Sequence, residues 1–183
     1  MTDKTAKNKL PAIKVAYIAV FAAFIAVCSW ISVPAAVPFT MQTFAVYVAV
    51  LLLGGKLATL CIALYIALGA VGLPVFSGFR GGVGILCGAS GGYIWGFLAL
   101  SVILGLCLRL ISSRRIAAIV GMFFGTAVCY LFGTIWYVMF FNGGKSFSAA
   151  LMLCVVPFIL PDILKMALAF FVGERVRPHI KGL

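Results

Sequence analysis

The sequence of 183 residues is 65% hydrophobic and only 9% charged, and its mean hydropathy is +1.25. Soluble globular domains are about 45–50% apolar and about 25% charged, so this composition excludes a soluble domain and predicts a polytopic membrane protein. The formal net charge of +11 suggests nucleic-acid binding at first sight, but the positions of the charges exclude it.

Six apolar segments follow one another along the chain, and we predict that each crosses the membrane as a helix. They are residues 13–32, 41–53, 57–73, 91–111, 116–141 and a last span that begins at Pro161. A spanning helix needs about 20 residues, so we expect part of the preceding loop to extend the short second segment. The prediction is an all-α integral membrane protein in which residues 1–183 form one six-helix domain, with residues 1–11 as a basic cytoplasmic tail.

Basic residues are distributed unevenly when these segments are threaded alternately through the bilayer. Eleven fall on the side of the termini: Lys4, Lys7, Lys9, Lys14, Lys56, Arg109, Arg114, Arg115, Arg175, Arg177 and Lys181. Two, Arg80 and Lys145, fall on the other side, and Lys165 lies within the last span. The positive-inside rule then places both termini in the cytoplasm. The charge therefore reflects topology, and we expect membrane lipid rather than nucleic acid as its neighbour.

Small residues form a stripe along the first span. The stripe consists of Ala12, Ala16, Ala19, Ala23 and Ala26, spaced three or four residues apart. Such a stripe lets a second helix approach closely. The second helix can belong to a partner subunit or to this chain, and the residues alone leave both possibilities open.

Two outward loops, residues 33–40 and 74–90, are predicted to meet the start of the last span and to cover a pocket. The residues that we expect to face it include Phe39, Gln42, Thr43, Tyr93 and Tyr137. Apolar walls with a few convergent polar groups are typical of small-ligand sites. The alternative for the aromatic residues is an interfacial belt at the membrane surface.

The second of these loops is rich in glycine and carries a single cation. Backbone amides at glycines such as Gly82 can approach a ligand closely, although glycine is also a common packing residue in membrane helices. Arg80 is either an anchor for a carboxylate or an interfacial charge that reaches toward water.

Asp162 and Lys165 are the ionisable residues of the apolar stretch 155–172. A charge in hydrocarbon costs at least about 2.5–3.5 kcal/mol, so such residues usually line a polar site. A spacing of three places both on one helix face. Because Pro is favoured at the first helical position, we predict that the last span starts at Pro161. Residues 147–158 would then form a separate half-helix or packed loop. Asp162 and Lys165 would then occupy the first turn of the last span, near its positive end, although a purely structural ion pair is the alternative.

The six cysteines are scattered singly along the chain, with no CxxC pair and no neighbouring His. Metal and disulfide sites need clustered ligands. We therefore predict no metal site and no disulfide, and we expect the cysteines to be small apolar packing residues.

Four blocks of sequence resemble one known family. They are Pro-Phe-Thr-Met-Gln-Thr-Phe at 38–44, Gly-Ala-Val-Gly-Leu-Pro-Val-Phe at 69–76, Gly-Ala-Ser-Gly-Gly-Tyr at 88–93 and Pro-Asp-Ile-Leu-Lys at 161–165. In this order they are similar to the biotin-specific S components, the BioY family, of energy-coupling factor (ECF) transporters. The resemblance covers nearly the whole chain.

The resemblance implies a substrate-binding subunit in the bacterial plasma membrane, with six helices. Such a subunit captures biotin from outside and passes it to a transmembrane T subunit and two ATPase subunits. It implies ligand-binding roles for Asp162 and Lys165, and it favours docking of the alanine stripe on the T subunit. Because no bond is made or broken in such transport, the resemblance also implies no cofactor and no catalytic residue. The residues leave open an S component for another vitamin, a stand-alone proton-coupled carrier, or an intramembrane enzyme that uses Asp162 as a general base.

Overall fold

The computed structural model describes residues 11–35, 37–141 and 146–180. Its helices are α1 (Ala12–Trp30), α2 (Gln42–Leu53), α3 (Gly55–Ala70), α4 (Val83–Leu86), α5 (Gly91–Leu110), α6 (Arg114–Phe141), α7 (Phe147–Cys154) and α8 (Val156–Val176). A 3₁₀ turn, Arg177–His179, follows α8. Most of the predicted basic tail, together with Lys145 and Lys181, lies outside the described residues.

Four of these helices, α1, α5, α6 and α8, are long and apolar enough to cross a membrane. The other two segments that we predicted as spans form shorter apolar helices, α2 with 12 residues and α3 with 16. The fold is therefore mostly helical, as predicted. The expectation that the preceding loop extends α2 is wrong, because residues Phe39–Thr40 form a strand and Met41 a turn.

The core of the molecule surrounds α2. Every residue from 45 to 53 is buried, and α2 contacts α1, α3, α5 and α8. A helix that is hydrophobic on all sides needs partners on all sides, and these four helices provide them. The shortness of α2 is consistent with this position, since its backbone and side chains are enclosed by protein.

Helices α5 and α6 pack closely because small residues line their contact. A Cβ atom built on Gly96 would lie 2.9 Å from the Sγ atom of Cys129, and one on Gly125 would lie 3.1 Å from Leu100. Gly133 lies directly against the ring of Tyr93. Small residues at intervals of four let helix backbones approach in this way, and the contact holds Tyr93 in position.

The last helix begins earlier than predicted. It starts at Val156, with Pro157 in its first turn and Pro161 inside it, so the prediction that the span starts at Pro161 was wrong. Pro161 removes one backbone hydrogen bond, but the helix continues through it. Asp162 and Lys165 consequently lie beyond the first turn, where the helix dipole has little effect. The predicted half-helix at residues 147–158 is present in part: α7 ends at Cys154, and residues 156–158 belong to α8.

A two-stranded hairpin lies between α1 and α2. Strand β1 (Ser32–Val33) pairs antiparallel with β2 (Phe39–Thr40), with Ser32 opposite Thr40. The Met41 N–H also donates to the Ile31 carbonyl, at 3.0 Å. The hairpin fixes the backbone of Phe39 and Thr40 at the start of α2, and both residues contact Lys165 in α8.

Candidate ligand-binding site

Asp162 and Lys165 form a buried ion pair. Each residue is only 4% exposed, and the Lys165 Nζ atom donates to Asp162 Oδ1 at 2.6 Å. Lys165 Nζ also donates to the Thr40 carbonyl at 2.6 Å and lies 3.8 Å from the centre of the Phe39 ring. The hairpin thus stabilises the ammonium group with a carbonyl and an aromatic face.

The Asp162 carboxylate has a second partner on α6. The hydroxyl of Tyr130 donates to Asp162 Oδ2. An ionised carboxylate offers about four acceptor positions and an ammonium group three donors. The described contacts use two positions on each group, so the pair retains acceptor capacity on Asp162 and one donor on Lys165. A ligand with N–H groups and an adjacent carbonyl matches this set.

The pair forms part of the wall of a cavity of about 60 Å³. Its other walls come from the hairpin and from α2, α5, α6, α7 and α8. They are Val37, Pro38, Phe39, Thr40, Thr43, Tyr93, Phe97, Thr126, Cys129, Tyr130, Cys154 and Phe158. Phe39 and Phe158 stack with ring centres 5.8 Å apart. Aromatic and apolar walls around one polar pair are the usual composition of a small-ligand site.

A second cavity, of about 50 Å³, lies beside the first. It is lined by Val37, Pro38, Thr40, Gln42, Phe76, Ser77, Arg80, Ile85, Ser90, Tyr93, Ile94 and Phe97. Five of these residues (Val37, Pro38, Thr40, Tyr93 and Phe97) also line the first cavity. The two spaces are therefore separated by shared side chains and together form one elongated region, with the ion pair at one end and Arg80 at the other.

Arg80 is exposed at its end of this region. Its Nε atom donates to the Ser77 carbonyl at 3.1 Å, within the tight turn closed by the bridge between Phe76 and Arg80. Phe79 in this turn has a φ of 56° and stacks on Trp30 with ring centres 4.8 Å apart. The turn is thereby fixed to α1, and most of the guanidinium donors remain available for a ligand.

The structure brings together seven of the nine predicted ligand-binding residues. Asp162, Lys165, Phe39 and Thr43 line the first cavity, Gln42 and Arg80 line the second, and Tyr93 lines both. Tyr137 instead packs against the small cluster of Val37, Tyr93 and Cys154. The N–H of Gly82 donates to the Gly69 carbonyl at 2.7 Å. Neither of these last two residues lines either of the two cavities, and Tyr137 supports the wall at Val37 and Tyr93 from behind.

The sequence did not indicate Tyr130 or Phe158 as site residues. Each lies in an apolar helix with no unusual neighbour in sequence, and only the packing of α6 and α8 shows their positions. A buried tyrosine hydroxyl generally has a hydrogen-bond partner. The chain has six tyrosines, so this rule alone did not single out Tyr130.

The alanine stripe of α1 lies mostly on the outside of the described protein. Ala12, Ala16, Ala19 and Ala23 are exposed, and Ala26 is buried. The internal face of α1 is formed by other residues, among them Ile18, Ala22 and Ile25. Packing among the described residues therefore accounts for Ala26 but leaves the first four alanines uncovered.

These features define a helical integral membrane protein that encloses a small cavity with one buried ion pair. The family model for the BioY family matches residues 2–182. The chain belongs to the BioY family, and the resemblance found in its four sequence blocks is confirmed.

Curated relatives agree with this assignment. The chain is 40% identical to "Probable biotin transporter BioY" of Pyrococcus horikoshii, over 90% of this chain and 96% of the relative. It is 36% identical to "Biotin transporter BioY" of Thermotoga maritima, over 86% of this chain and 92% of the relative. Both relatives are named transporters, in agreement with the expectation that the chain is not an enzyme.

A solved structure shows the same fold. It is the S-component for biotin from an ECF-type ABC transporter, with a TM-score of 0.82 and 27% sequence identity. The match covers 97% of this chain and 95% of that chain. The architecture of an S component is thus confirmed for this protein.

Proposed function

We propose that this chain is the substrate-binding subunit of an ECF transporter and that it binds biotin in the elongated region between Asp162 and Arg80. The observation that carries the proposal is the buried Asp162–Lys165 pair, which lines the cavity and retains both acceptor and donor capacity. A buried ion pair contributes little to stability by itself, so stability alone does not explain why these two charges are buried. A ligand that completes their hydrogen bonds does explain it. The names of the relatives support biotin as that ligand.

The charges of the site favour one orientation of the vitamin. Biotin has a fused ureido ring with two N–H donors and one carbonyl, and a valerate chain that ends in a carboxylate. Asp162 would repel the carboxylate but accept from the ureido N–H groups, and charge-assisted hydrogen bonds of this kind are strong. Lys165 would donate its third N–H to the ureido oxygen. The carboxylate would then lie toward Arg80, whose guanidinium has no acidic partner among the described residues.

Binding requires the two cavities to join. Their volumes of about 60 and 50 Å³ are far below the roughly 300 Å³ at which ligand pockets usually begin. Val37 and Pro38 line both spaces and lie in the hairpin loop rather than in a helix. We expect this loop to move outward when biotin enters and to close over it afterwards.

Transport requires partners. In the proposed complex, α1, α2, α3, α5, α6 and α8 span the plasma membrane of a bacterial cell, with both termini in the cytoplasm. The uneven distribution of basic residues supports this orientation. A transmembrane T subunit would dock on Ala12, Ala16, Ala19 and Ala23, which are exposed on α1, and two ATPase subunits would supply the energy.

A biotin titration on the purified chain tests the binding step directly. Lipoate is the matched control ligand, because it has the same valerate chain but lacks the ureido ring. We expect saturable, stoichiometric binding of biotin and little binding of lipoate. Equal binding of the two compounds, or binding of a different vitamin in place of biotin, would contradict the proposal.

Reconstitution into vesicles tests the transport step. Uptake of biotin should require the T subunit, both ATPase subunits and ATP on the side of the membrane where the ATPase subunits lie. Uptake by the chain alone, driven by a proton gradient, would instead identify a stand-alone carrier in which Asp162 is the proton site.

A further inference from the structure

The largest cavity described lies at the opposite end of the helices from Asp162 and is strongly basic. Its volume is about 820 Å³. It is lined by the turn between α2 and α3, by the ends of α5 and α8 and by the start of α6, and its charged residues are Arg109, Arg114, Arg115, Arg177 and Glu174. Asp162 and Arg177 are 15 residues apart in α8 and the turn that follows, which corresponds to about 22 Å. The basic cavity is therefore separate from the biotin region.

Two of the arginines in this cavity are engaged within the described protein. Arg114 Nη2 donates to the Leu51 carbonyl at 2.6 Å, and Arg115 Nε lies 3.5 Å from Glu174 Oε2. Arg109 forms no hydrogen bond or ion pair with another described side chain, and the same holds for the nearby Lys56. The cavity thus has cations that no described acid neutralises, which favours an anionic occupant.

An apolar groove continues from the cavity along α3 and α5. It is lined by Gly55, Lys56, Thr59, Leu60, Val102, Gly105, Leu106 and Arg109, and its volume is about 420 Å³. Gly55, Gly105 and Arg109 belong to both the groove and the basic cavity. The backbones of the two helices are in contact at Gly55 and Gly105, so the groove opens from that contact, with Lys56 and Arg109 at its basic end.

The walls of the groove present hydrocarbon. Leu60, Val102 and Leu106 are each nearly half exposed there. The Thr59 hydroxyl is satisfied by the Gly55 carbonyl at 2.8 Å and by Ser101 Oγ at 2.9 Å, and therefore offers no free donor. From Val102 to Arg109 the groove runs about 10 Å along α5, a length that suits the upper methylene groups of an acyl chain.

We propose that this continuous surface binds one anionic phospholipid. Its phosphate would lie between Lys56 and Arg109 at the edge of the basic cavity, and an acyl chain would lie in the groove between α3 and α5. The juxtaposition of unneutralised cations with an apolar channel matches a molecule that has both a negative headgroup and a hydrocarbon chain. Basic pockets between membrane helices bind anionic headgroups in this way.

The combination of cations and an apolar groove determines which kind of molecule fits this surface. A free phosphate would use the cations but not the groove, and a zwitterionic lipid would use the groove but gain little from the cations. The site is independent of the biotin region, so it does not rest on the function proposed above. A bound lipid would join α3, α5 and the α2–α3 turn at this end of the molecule.

Native mass spectrometry of the purified chain tests the proposal with phosphatidylglycerol as the probe and the zwitterionic phosphatidylcholine as the comparison. We expect one phosphatidylglycerol to be retained in preference to phosphatidylcholine. The double variant Lys56→Gln/Arg109→Gln should weaken this retention about thirtyfold, which corresponds to about 1 kcal/mol for each basic side chain removed. Val102→Trp should also weaken it, because the indole fills the groove.

Matched variants distinguish the loss of this site from a general effect of charge or of side-chain volume. Lys14→Gln/Arg175→Gln removes the same charge outside the cavity, and Val128→Trp adds the same bulk on the exposed part of α6; both should retain the lipid. Glycerophosphate should not compete. Equal losses in the test and control variants, or competition by glycerophosphate as strong as that by the lipid, would overturn the proposal. An unchanged thermal unfolding transition shows that each variant is folded.

Discussion

Tyr130 and Asp162 join α6 to α8 by a hydrogen bond from the phenol to the carboxylate Oδ2 atom. On its other oxygen, Asp162 accepts from Lys165, which in turn donates to the hairpin at Thr40. A chain of polar contacts therefore crosses the interior from α6 through α8 to the start of α2. It orients the carboxylate before any ligand arrives.

The variant Tyr130→Phe should destabilise the protein by about 1.5–3 kcal/mol, because a hydrogen bond to a charged acceptor is lost. Tyr47→Phe is the matched control. It also removes a buried phenol, but that phenol bonds the neutral Thr126 hydroxyl, at 2.5 Å, so its loss should cost only about 0.5–1.5 kcal/mol. Equilibrium unfolding in detergent measures both. Equal losses would show that the hydrogen bond to Asp162 stabilises the protein no more than the neutral bond to Thr126 does.

The variant Asp162→Asn should weaken biotin binding by at least about 2 kcal/mol, or roughly thirtyfold, because Lys165 is then left without its counter-charge and the ureido N–H groups without a charged acceptor. A titration with biotin measures the change. Glu174→Gln is the control, since it removes an exposed carboxylate near Arg115 at the other end of α8 and should bind biotin normally. Unchanged affinity in Asp162→Asn would remove this residue from the site.

The apolar segments could be predicted from the sequence because hydropathy and charge determine which residues form membrane helices. The position of the last helix could not. Pro157 and Pro161 are equally suited to a helix start by local preference, and the choice depends on packing that the sequence does not display. The start at Val156 places Asp162 beyond the first turn, so its charge is balanced by Lys165 and Tyr130 rather than by the helix end.

The Asp162–Lys165 pair could be predicted because two charges in an apolar stretch are unusual. The contacts that complete it are long-range in sequence, since Thr40 is 125 residues and Tyr130 is 32 residues from its partner. The two-residue strands β1 and β2 are also too short to give a periodic pattern. Both features depend on tertiary structure, and local preference does not reveal them.

The variant Arg80→Gln tests the orientation of biotin. It should weaken the binding of biotin but leave the binding of biotin amide nearly unchanged, because the amide has no carboxylate for the guanidinium to pair with. Parallel titrations of the two ligands on the two proteins give the coupling between Arg80 and the carboxylate. If the variant weakens both ligands equally, the carboxylate does not lie near Arg80.

Substitutions in the alanine stripe test the partner surface. Ala19→Leu and Ala23→Leu should spare biotin binding and reduce co-purification with the T subunit, because the added side chains prevent close approach of another helix. Ala63→Leu and Ala67→Leu on α3 are matched controls, since both residues are exposed and gain the same volume. The prediction fails if complexes of the α1 and α3 variants form equally well.

The contact between α5 and α6 makes a prediction about stability. In an exposed helix interior, Gly→Ala gains about 1 kcal/mol from propensity alone. The added Cβ of Gly96→Ala, however, would lie 2.9 Å from Cys129 Sγ and 3.2 Å from Cys129 Cα, so α5 and α6 must separate, at a cost of about 1–3 kcal/mol. We therefore expect lower stability in thermal unfolding. Gly84→Ala in α4, where a Cβ meets no atom within 4 Å, should instead stabilise the protein by up to about 1 kcal/mol. Cys129→Ala combined with Gly96→Ala should recover part of the loss because the sulfur contact is gone.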